Sequence, residues 1–201
     1  IKLDRISKVY KKILYKSTPF FKKLHDKKLL FAAVAPSKVE PSYVTEGRVR
    51  ALRQSEIRKL IRQFVNGAIR VKNAGCDGVE LHATHGYLLQ QFLSPHTNKR
   101  TDKYGGTFEN RMRILQEIIQ GIRLACGTDF PIVVRMSADE CYDKIGRPGV
   151  GYGLDEGIKI AKYLETLGVD ALDVSCGSYD AFNTWLEPVS WLEPGFDDSG
   201  G

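Results

Sequence analysis

The sequence predicts an α/β fold with a parallel sheet, of the (β/α)8-barrel type but incomplete, with about four of the eight β/α units. Short apolar runs alternate with longer segments whose apolar residues recur at helical spacing, which is typical of parallel strands connected by helices. Polar side chains follow these runs, as they do at the carboxyl ends of barrel strands. No G-x-G-x-x-G motif follows a predicted strand, so an open dinucleotide-binding sheet is disfavoured.

Four strands and three helices are predicted to alternate along the chain. The predicted strands are the apolar runs at residues 29–35, 78–82, 131–137 and 169–175. The first helix is expected to run from a cap at Ser55 to a stop at Gly75, and the second to begin after a cap at Thr107. A third helix is expected at about residues 155–167, after a Gly-rich loop. A long polar loop is expected between the second strand and the second helix.

The composition is that of an ordinary globular domain, with 42% apolar and 27% charged residues. No run approaches the roughly 18 apolar residues of a membrane-spanning helix, and the first residues lack the apolar block of a signal peptide. These features predict a cytoplasmic location. The four cysteines are widely spaced without a C-x-x-C pair, so we expect no metal site and mostly buried thiols in a reducing compartment.

Positive charge is concentrated in residues 1–28, which hold ten Lys or Arg against two Asp, whereas the whole chain has a net charge of +6. Apolar residues at helical spacing in this segment predict a basic amphipathic helix, which can contact a partner, a membrane surface or the core, or be a solvated face. No motif for nucleic acid accompanies it, so a nucleic-acid partner is not expected. The predicted organisation is this segment, a partial barrel at residues 29–184 and an irregular tail at 185–201.

Two histidines and a tyrosine come where the second predicted strand ends. His82 is the last residue of the strand, and His85 and Tyr87 lie in the following loop. Taken alone, these residues have several interpretations: a pair of metal ligands, hydrogen-bonded structural histidines, or a packing aromatic. A metal site would need a third ligand, and none lies at a recognisable spacing.

Polar residues also end the next two strands. Arg135 lies near the end of the third strand, where burial of a guanidinium without a partner would be costly. Ser175 and Cys176 follow the fourth strand and are candidates for lining the same site.

Two polar loops receive structural interpretations. The segment "NKRTDKYGG" predicts a network between Arg100 and Asp102, followed by a Gly-Gly turn. Asp139, Glu140 and Asp143 are expected in a solvated loop that borders the mouth of the site.

The stretch "GCDGVELHATHGYLLQQFLSPHTNKRTDKYGGTFENRMR", residues 75–113, together with "PIVVRMS" at 131–137, resembles the old yellow enzyme family of flavin-dependent ene-reductases. The resemblance runs from about residue 33 to residue 194, toward the branch of bacterial NADH:flavin oxidoreductases and 2,4-dienoyl-CoA reductases. It implies a (β/α)8 barrel that binds FMN without a covalent bond. It also implies that hydride passes from NADH or NADPH to the β-carbon of an activated alkene.

Individual site roles are implied by the same resemblance. His82 and His85 match the pair that binds the carbonyl group of the substrate, and Tyr87 matches the tyrosine that protonates the α-carbon. Arg135 matches the arginine beside the flavin ring. Ser175 and Cys176 would line the flavin pocket.

These residue types suit the implied reaction. Hydride addition to an enone places negative charge on the carbonyl oxygen, and each hydrogen-bond donor aimed at it lowers the barrier by about 3 kcal/mol. A tyrosine keeps its proton at neutral pH and can deliver it to a nearby carbanion. The predicted function is therefore FMN-dependent reduction of activated C=C bonds, with a small α,β-unsaturated carbonyl compound as substrate, by this chain or by the enzyme of which it is a fragment.

The resemblance also predicts which parts of such an enzyme are missing. No counterpart of the strands that contact the flavin ring is found before residue 33, and the loops that bind the FMN phosphate would lie beyond residue 201. An alternative function is therefore a catalytically inactive barrel fragment that acts as a scaffold or partner-binding module. Open barrel edges would favour self-association.

Overall fold

In a computed structural model of the chain, the structure describes residues 33–38 and 49–178. The strands in this part are β1 (Ala33–Ala35), β2 (Val49–Ala51), β3 (Val79–Ala83), β4 (Ile132–Ser137) and β5 (Ala171–Ser175). The α-helices are α1 (Gln54–Asn73), α2 (Leu88–Leu93), α3 (Phe108–Cys126) and α4 (Leu154–Thr166), and a 3-10 turn spans Asp143–Ile145. The predicted basic segment at 1–28, most of the first predicted strand and the predicted tail at 185–201 lie outside the described residues.

All strand pairs in the described part of the chain are parallel. β1 pairs with β2, and β3, β4 and β5 form a second sheet in that order. Helices connect the successive strands β3, β4 and β5, so the prediction of an α/β fold with a parallel sheet is confirmed.

Two elements are present where none was predicted. β2 has only three residues, too few to show a hydrophobic period. α2 lies inside the segment that was predicted to be a polar loop, and that prediction is wrong there. Its Leu89, Phe92 and Leu93 are buried in the core, but a helix of six residues is too short for a recognisable apolar stripe.

The amino-terminal caps of α1 and α3 have different chemistry. α1 begins at Gln54, so the prediction of a cap at Ser55 is wrong. The cap residue is Arg53, whose backbone N–H donates to the Glu56 carboxylate at 2.8 Å. The cap of α3 is Thr107 as predicted, and its hydroxyl accepts a hydrogen bond from the backbone N–H of Asn110 at 3.3 Å.

One face of the β3–β5 sheet forms the core with the helices. Its middle row consists of Leu81, Val134 and Leu172, which the parallel register places side by side. The buried stripe of α3 packs on this core and consists of Leu115, Ile118, Ile119 and Ile122. The opposite face carries exposed residues such as Glu80, His82 and Ala171. The sheet therefore has one packed face and, among the described residues, one open face.

The loop after α2 is held by Arg100. Its guanidinium donates to Asp102 at 2.6 and 2.9 Å, which confirms the predicted network. It also donates to the backbone carbonyls of Pro36 at 2.7 Å and Leu52 at 2.6 Å. Because Pro36 follows β1 and Leu52 follows β2, Arg100 connects the two-stranded sheet to the rest of the molecule.

Candidate active site

His82, His85 and Tyr87 lie together at the carboxyl end of β3. The ring centroids of His82 and His85 are 5.6 Å apart, and those of His82 and Tyr87 are 5.1 Å apart. His82 is exposed, His85 is half-buried and the Tyr87 side chain is 52% exposed. Tyr87 is therefore not a core aromatic, and the three rings form a polar group that a ligand can reach.

A tight turn orients these side chains. His85 has φ 58° and Gly86 has φ 74°, and the backbone N–H of Tyr87 donates to the carbonyl of Thr84 at 3.2 Å. A left-handed backbone is uncommon for a residue with a side chain, and such residues cluster at functional sites. The turn is anchored to β4, because the buried hydroxyls of Thr84 and Ser137 are hydrogen-bonded at 2.6 Å.

A row of polar residues crosses the open face of the sheet. The register places His82 opposite Arg135, and Arg135 opposite Asp173. The Nε atom of Arg135 lies 3.2 Å from a carboxylate oxygen of Asp173. This nitrogen is buried and has no hydrogen-bond partner within the described part of the chain. Asp173 was not predicted as a site residue, although a charged residue inside an apolar strand is a signal that could have indicated it.

Ser175, at the end of β5, reaches His85. Its hydroxyl oxygen lies 2.7 Å from the imidazole Nε2 of His85. The contact occupies one of the two ring nitrogens, so Nδ1, which makes no hydrogen bond within residues 33–38 and 49–178, is left for a ligand. A serine hydroxyl that donates to Nε2 fixes the ring proton on Nδ1 and makes that atom a donor.

The charge of His85 is set by its surroundings. Burial lowers the pKa of the imidazole, the neighbouring Arg135 and His82 lower it further, and the carboxylate of Asp173 opposes them. Because the ordinary histidine pKa is about 6.5, the lowered pKa makes His85 a neutral imidazole at neutral pH.

Cys176 is exposed directly after β5, and the backbone N–H of the next residue, Gly177, donates to the carbonyl of Asp139, two residues before the buried Cys141. The prediction of buried thiols is confirmed for Cys126 and Cys141 and is wrong for Cys76 and Cys176. Both exposed cysteines lie just after an element ends, where the chain leaves the core.

A network of buried hydrogen bonds supports the turn that contains His85 and Gly86. The Tyr152 hydroxyl donates to the Ser137 carbonyl at 3.0 Å, and the Ser137 hydroxyl donates to the Gly177 carbonyl at 2.7 Å. The side-chain amide of Gln90 donates to the Tyr152 hydroxyl at 3.3 Å. Residues far apart in sequence thus hold the ends of β4 and β5 and the start of α2 together.

Glu140 belongs to this buried layer. It is only 1% exposed, so the prediction that it lies in a solvated loop is wrong. Its carboxylate accepts hydrogen bonds from the Ser94 hydroxyl at 2.7 Å and from the Tyr152 backbone N–H at 2.9 Å. Burial raises the pKa of Glu140 to about 7, against the lowering effect of these hydrogen bonds.

The open face has groups that fit the ring of a flavin. A flavin ring presents acceptor atoms at its edge, and its reduced form carries negative charge, which nearby positive groups stabilise. Arg135 offers positive charge, and its Nε atom makes no hydrogen bond within the described residues although a carboxylate oxygen of Asp173 lies 3.2 Å away. Its neighbours His82 and Asp173 lie in the same row, so Arg135 is the residue that would hold the ring.

Residues 21–190 match the family model described as the NADH:flavin oxidoreductase / NADH oxidase family. The chain belongs to this family. It is 50% identical over 155 residues to the NADH oxidase of Thermoanaerobacter brockii, a match that covers 77% of this chain and 23% of that protein. It is 39% identical over 177 residues to the cinnamate reductase of Clostridium sporogenes, covering 81% and 26% respectively.

A solved structure is also similar to this chain. The old yellow enzyme homologue from Zymomonas mobilis aligns with a TM-score of 0.58 and 32% sequence identity, over 71% of this chain and 41% of that one. The predicted family is confirmed, together with its cofactors: FMN as the flavin and NADH or NADPH as the reductant. The chain spans about a quarter of the length of the two relatives. None of the helices in the described residues is long and apolar enough to cross a membrane.

Proposed function

We propose that the site at the ends of β3, β4 and β5 is the substrate side of an FMN-dependent NAD(P)H oxidoreductase. The proposed reaction reduces the activated C=C bond of a small α,β-unsaturated carbonyl compound. The observation that carries the proposal is the convergence of His82, His85 and Tyr87, with ring centroids 5.1 to 5.6 Å apart, beside the Arg135 row on the open face. The relative that is named a cinnamate reductase supports a conjugated substrate of this kind.

When bound, FMN supplies the hydride equivalent that originates in NADH or NADPH. The residues of the chain handle the charge and the proton. His82 and the Nδ1 atom of His85 donate hydrogen bonds to the carbonyl oxygen, on which negative charge develops, and each such donor typically contributes about 10²–10³ in rate. Tyr87 delivers a proton to the α-carbon from its exposed position beside His82.

In this proposal Arg135 binds the cofactor. Its half-exposed guanidinium donates to an acceptor on the flavin ring, and its charge stabilises the reduced ring. Asp173 lies 3.2 Å from the buried Nε atom and holds the guanidinium in the row. Ser175 positions His85, and Cys176 borders the flavin side of the site.

The proposed architecture is part of a (β/α)8 barrel. β1, β3, β4 and β5 correspond to four of its eight strands, and the open face of the β3–β5 sheet corresponds to the barrel interior. A cytoplasmic location remains part of the proposal, since all four cysteines are free thiols, as in a reducing compartment.

A scaffold or self-associating module is the second candidate function. In the described part of the chain, the outer edges of β3 and β5 have no pairing strand. Beside β3 lies an open cavity of about 370 Å³, lined largely by apolar residues that include Leu60, Phe64 and Val71. Unpaired edges and apolar grooves favour association, and light scattering of the purified chain measures it directly.

The test of the proposed reaction is enone-dependent oxidation of NADH or NADPH by the FMN-loaded chain, without oxygen, with 2-cyclohexen-1-one and cinnamate as probes. Tyr87→Phe should lower kcat by about 10²-fold or more, because it removes only the acidic proton. Tyr163→Phe is the matched control, since its hydroxyl bonds Gln116 on the helical side. The proposal would be contradicted by a chain that binds FMN but oxidises neither NADH nor NADPH when either probe is added.

A further inference from the structure

We propose that Cys141 and Cys176 are a redox-active pair that forms a reversible intrachain disulfide, with hydrogen peroxide as the oxidant. The two residues are far apart in sequence, and β5 and α4 lie between them. The proposal is independent of the proposed reductase activity, because it depends only on the positions of two thiols and on a peroxide added from outside.

Backbone hydrogen bonds bring the two segments together. The N–H of Ala138 donates to the carbonyl of Ser175 at 2.8 Å, and the N–H of Gly177 donates to the carbonyl of Asp139 at 2.7 Å. These bonds extend the pairing of β4 with β5 past the ends of both strands. Cys176 lies between the two bonded residues of its segment, so its position opposite the loop after β4 is fixed.

The other thiol is turned toward the same point. Cys141 has a left-handed backbone with φ 60°, and its N–H donates to the Asp139 side chain at 2.6 Å. Its sulfur lies 3.8 Å from the Asp139 carbonyl oxygen, which also accepts the hydrogen bond from Gly177. Since Cys176 is the residue before Gly177, both cysteines lie next to this carbonyl group. The left-handed backbone of Cys141 thus accompanies a thiol placed beside the segment that carries Cys176.

The two thiols differ in accessibility, which assigns their roles. Cys176 is exposed, whereas Cys141 is only 4% exposed. Burial, together with the nearby Asp139 carboxylate, raises the pKa of Cys141 to about 11. Peroxide therefore reacts at Cys176, and Cys141 is the resolving thiol.

Hydrogen peroxide is the only oxidant that the reaction requires. The Cys176 thiolate attacks one peroxide oxygen, so an S–O bond forms, the O–O bond breaks and hydroxide leaves, which takes up a proton to become water. The Cys141 sulfur then attacks the sulfenic acid, an S–S bond forms, the S–O bond breaks and a second water leaves. Two thiols are oxidised by two electrons, and hydrogen peroxide is reduced to two water molecules.

The disulfide would connect the loop after β4 to the residue that follows Ser175. Since Ser175 binds His85 at 2.7 Å, the oxidised pair would hold the end of β5 next to the candidate active site. In a reducing compartment a disulfide of this kind is transient and reversed by thiols.

The test is peptide mapping of the full chain after treatment with hydrogen peroxide and blocking of the remaining thiols with N-ethylmaleimide. Trypsin should place Cys141 in the peptide that ends at Lys144, and Cys176 in the C-terminal peptide that starts at Tyr163. The expected product is these two peptides joined by a disulfide, which dithiothreitol separates. The exposed-cysteine variant Cys176→Ser should lose the joined product, and the matched variant Cys76→Ser should keep it.

Dimedone labelling gives a second readout that does not depend on a buried substitution. In the wild-type chain the sulfenic acid on Cys176 should be consumed by Cys141, so little label should accumulate once oxidation is complete. Accumulation of sulfenic or sulfinic acid on Cys176, with Cys141 still alkylated as a thiol after unfolding, would overturn the proposal. A disulfide that joins Cys76 to Cys176 of another molecule would overturn it as well.

Discussion

The imidazole of His85 and the hydroxyl of Ser175 are hydrogen-bonded at 2.7 Å across the width of a three-stranded sheet. His85 follows β3, Ser175 ends β5, and β4 lies between them in the sheet. The orientation of a residue proposed to bind substrate is therefore set by a strand that is distant in sequence. Only the parallel order of β3, β4 and β5 brings the two side chains together.

Ser175→Ala should change the tautomer of His85. We infer that the serine hydroxyl donates to Nε2 and keeps the ring proton on Nδ1, so loss of the hydroxyl should favour the proton on Nε2. Nitrogen-15 NMR of the histidine rings at about pH 8 distinguishes the two forms. Loss of one hydrogen bond should also lower enone turnover by up to about tenfold. The exposed Ser55→Ala is the control, and an unchanged His85 spectrum in Ser175→Ala would contradict the assigned role.

Glu140→Gln should remove a pH dependence of stability. The pKa of Glu140 is raised from 4.5 to about 7 in the folded chain. Its contribution is therefore fully present below about pH 4.5 and is lost as the pH rises through 7. Relative to Glu140→Gln, the wild-type free energy of unfolding should fall by about 3 kcal/mol between pH 5 and pH 8. Urea denaturation at both pH values measures it, with the exposed Glu165→Gln as control, and a difference that does not vary with pH would refute the expectation.

Gly157→Ala and Gly67→Ala should change stability in opposite directions. A Cβ at Gly157 would lie 1.8 Å from the Ala138 carbonyl oxygen, at the place where α4 packs against the end of β4. A Cβ at Gly67, inside α1, would have no neighbour within 4 Å. We expect Gly157→Ala to destabilise the chain by about 2 kcal/mol or more, and Gly67→Ala to stabilise it by about 0.5–1 kcal/mol. Thermal unfolding followed by circular dichroism tests both, and equal midpoints would be inconsistent with the packing described.

Arg100→Lys should destabilise the chain even though the charge is kept. The guanidinium donates to Asp102, Pro36 and Leu52 at once, and a lysine cannot supply this planar set of donors. The loss should be about 2 kcal/mol in the free energy of unfolding, measured by urea denaturation. The exposed Arg58→Lys should be nearly neutral, and similar values for the two variants would show that the network contributes little.

Local patterns in the sequence were sufficient to predict the main helices and strands of the fold. Apolar runs identified β3, β4 and β5, and stripes at helical spacing identified α1 and α3. α4 was predicted from its place after the Gly-rich loop. β2 and α2 were missed because each is too short to show a period. The cap of α1 was misplaced because Arg53 is not a typical cap residue, and the carboxylate that completes it comes from Glu56.

Part of the candidate site was predicted from the polar residues that end the apolar strands. This pattern indicated His82, His85, Tyr87 and Arg135, and the structure places them on one face. Contacts between strands could not be predicted, because the hydrogen bond of Ser175 with His85 leaves no local pattern in the sequence. The same holds for the backbone bonds that bring the segment of Cys176 to the loop after β4. The burial of Glu140 was missed for the same reason, since its partners lie on other segments. Assignments of catalytic and cofactor-binding roles stay predictions.

The central claim is that the open face with Arg135 binds a flavin ring, and FMN binding by the purified chain tests it most directly. FMN is titrated with wild type, Arg135→Met and the exposed control Arg58→Met, and bound flavin is followed by its visible absorption and fluorescence. We expect wild type and the control to bind FMN with equal affinity, and Arg135→Met to bind it about 10–100-fold more weakly through loss of a charged hydrogen bond. Binding by all three proteins with equal affinity, or by none of them, would contradict the account.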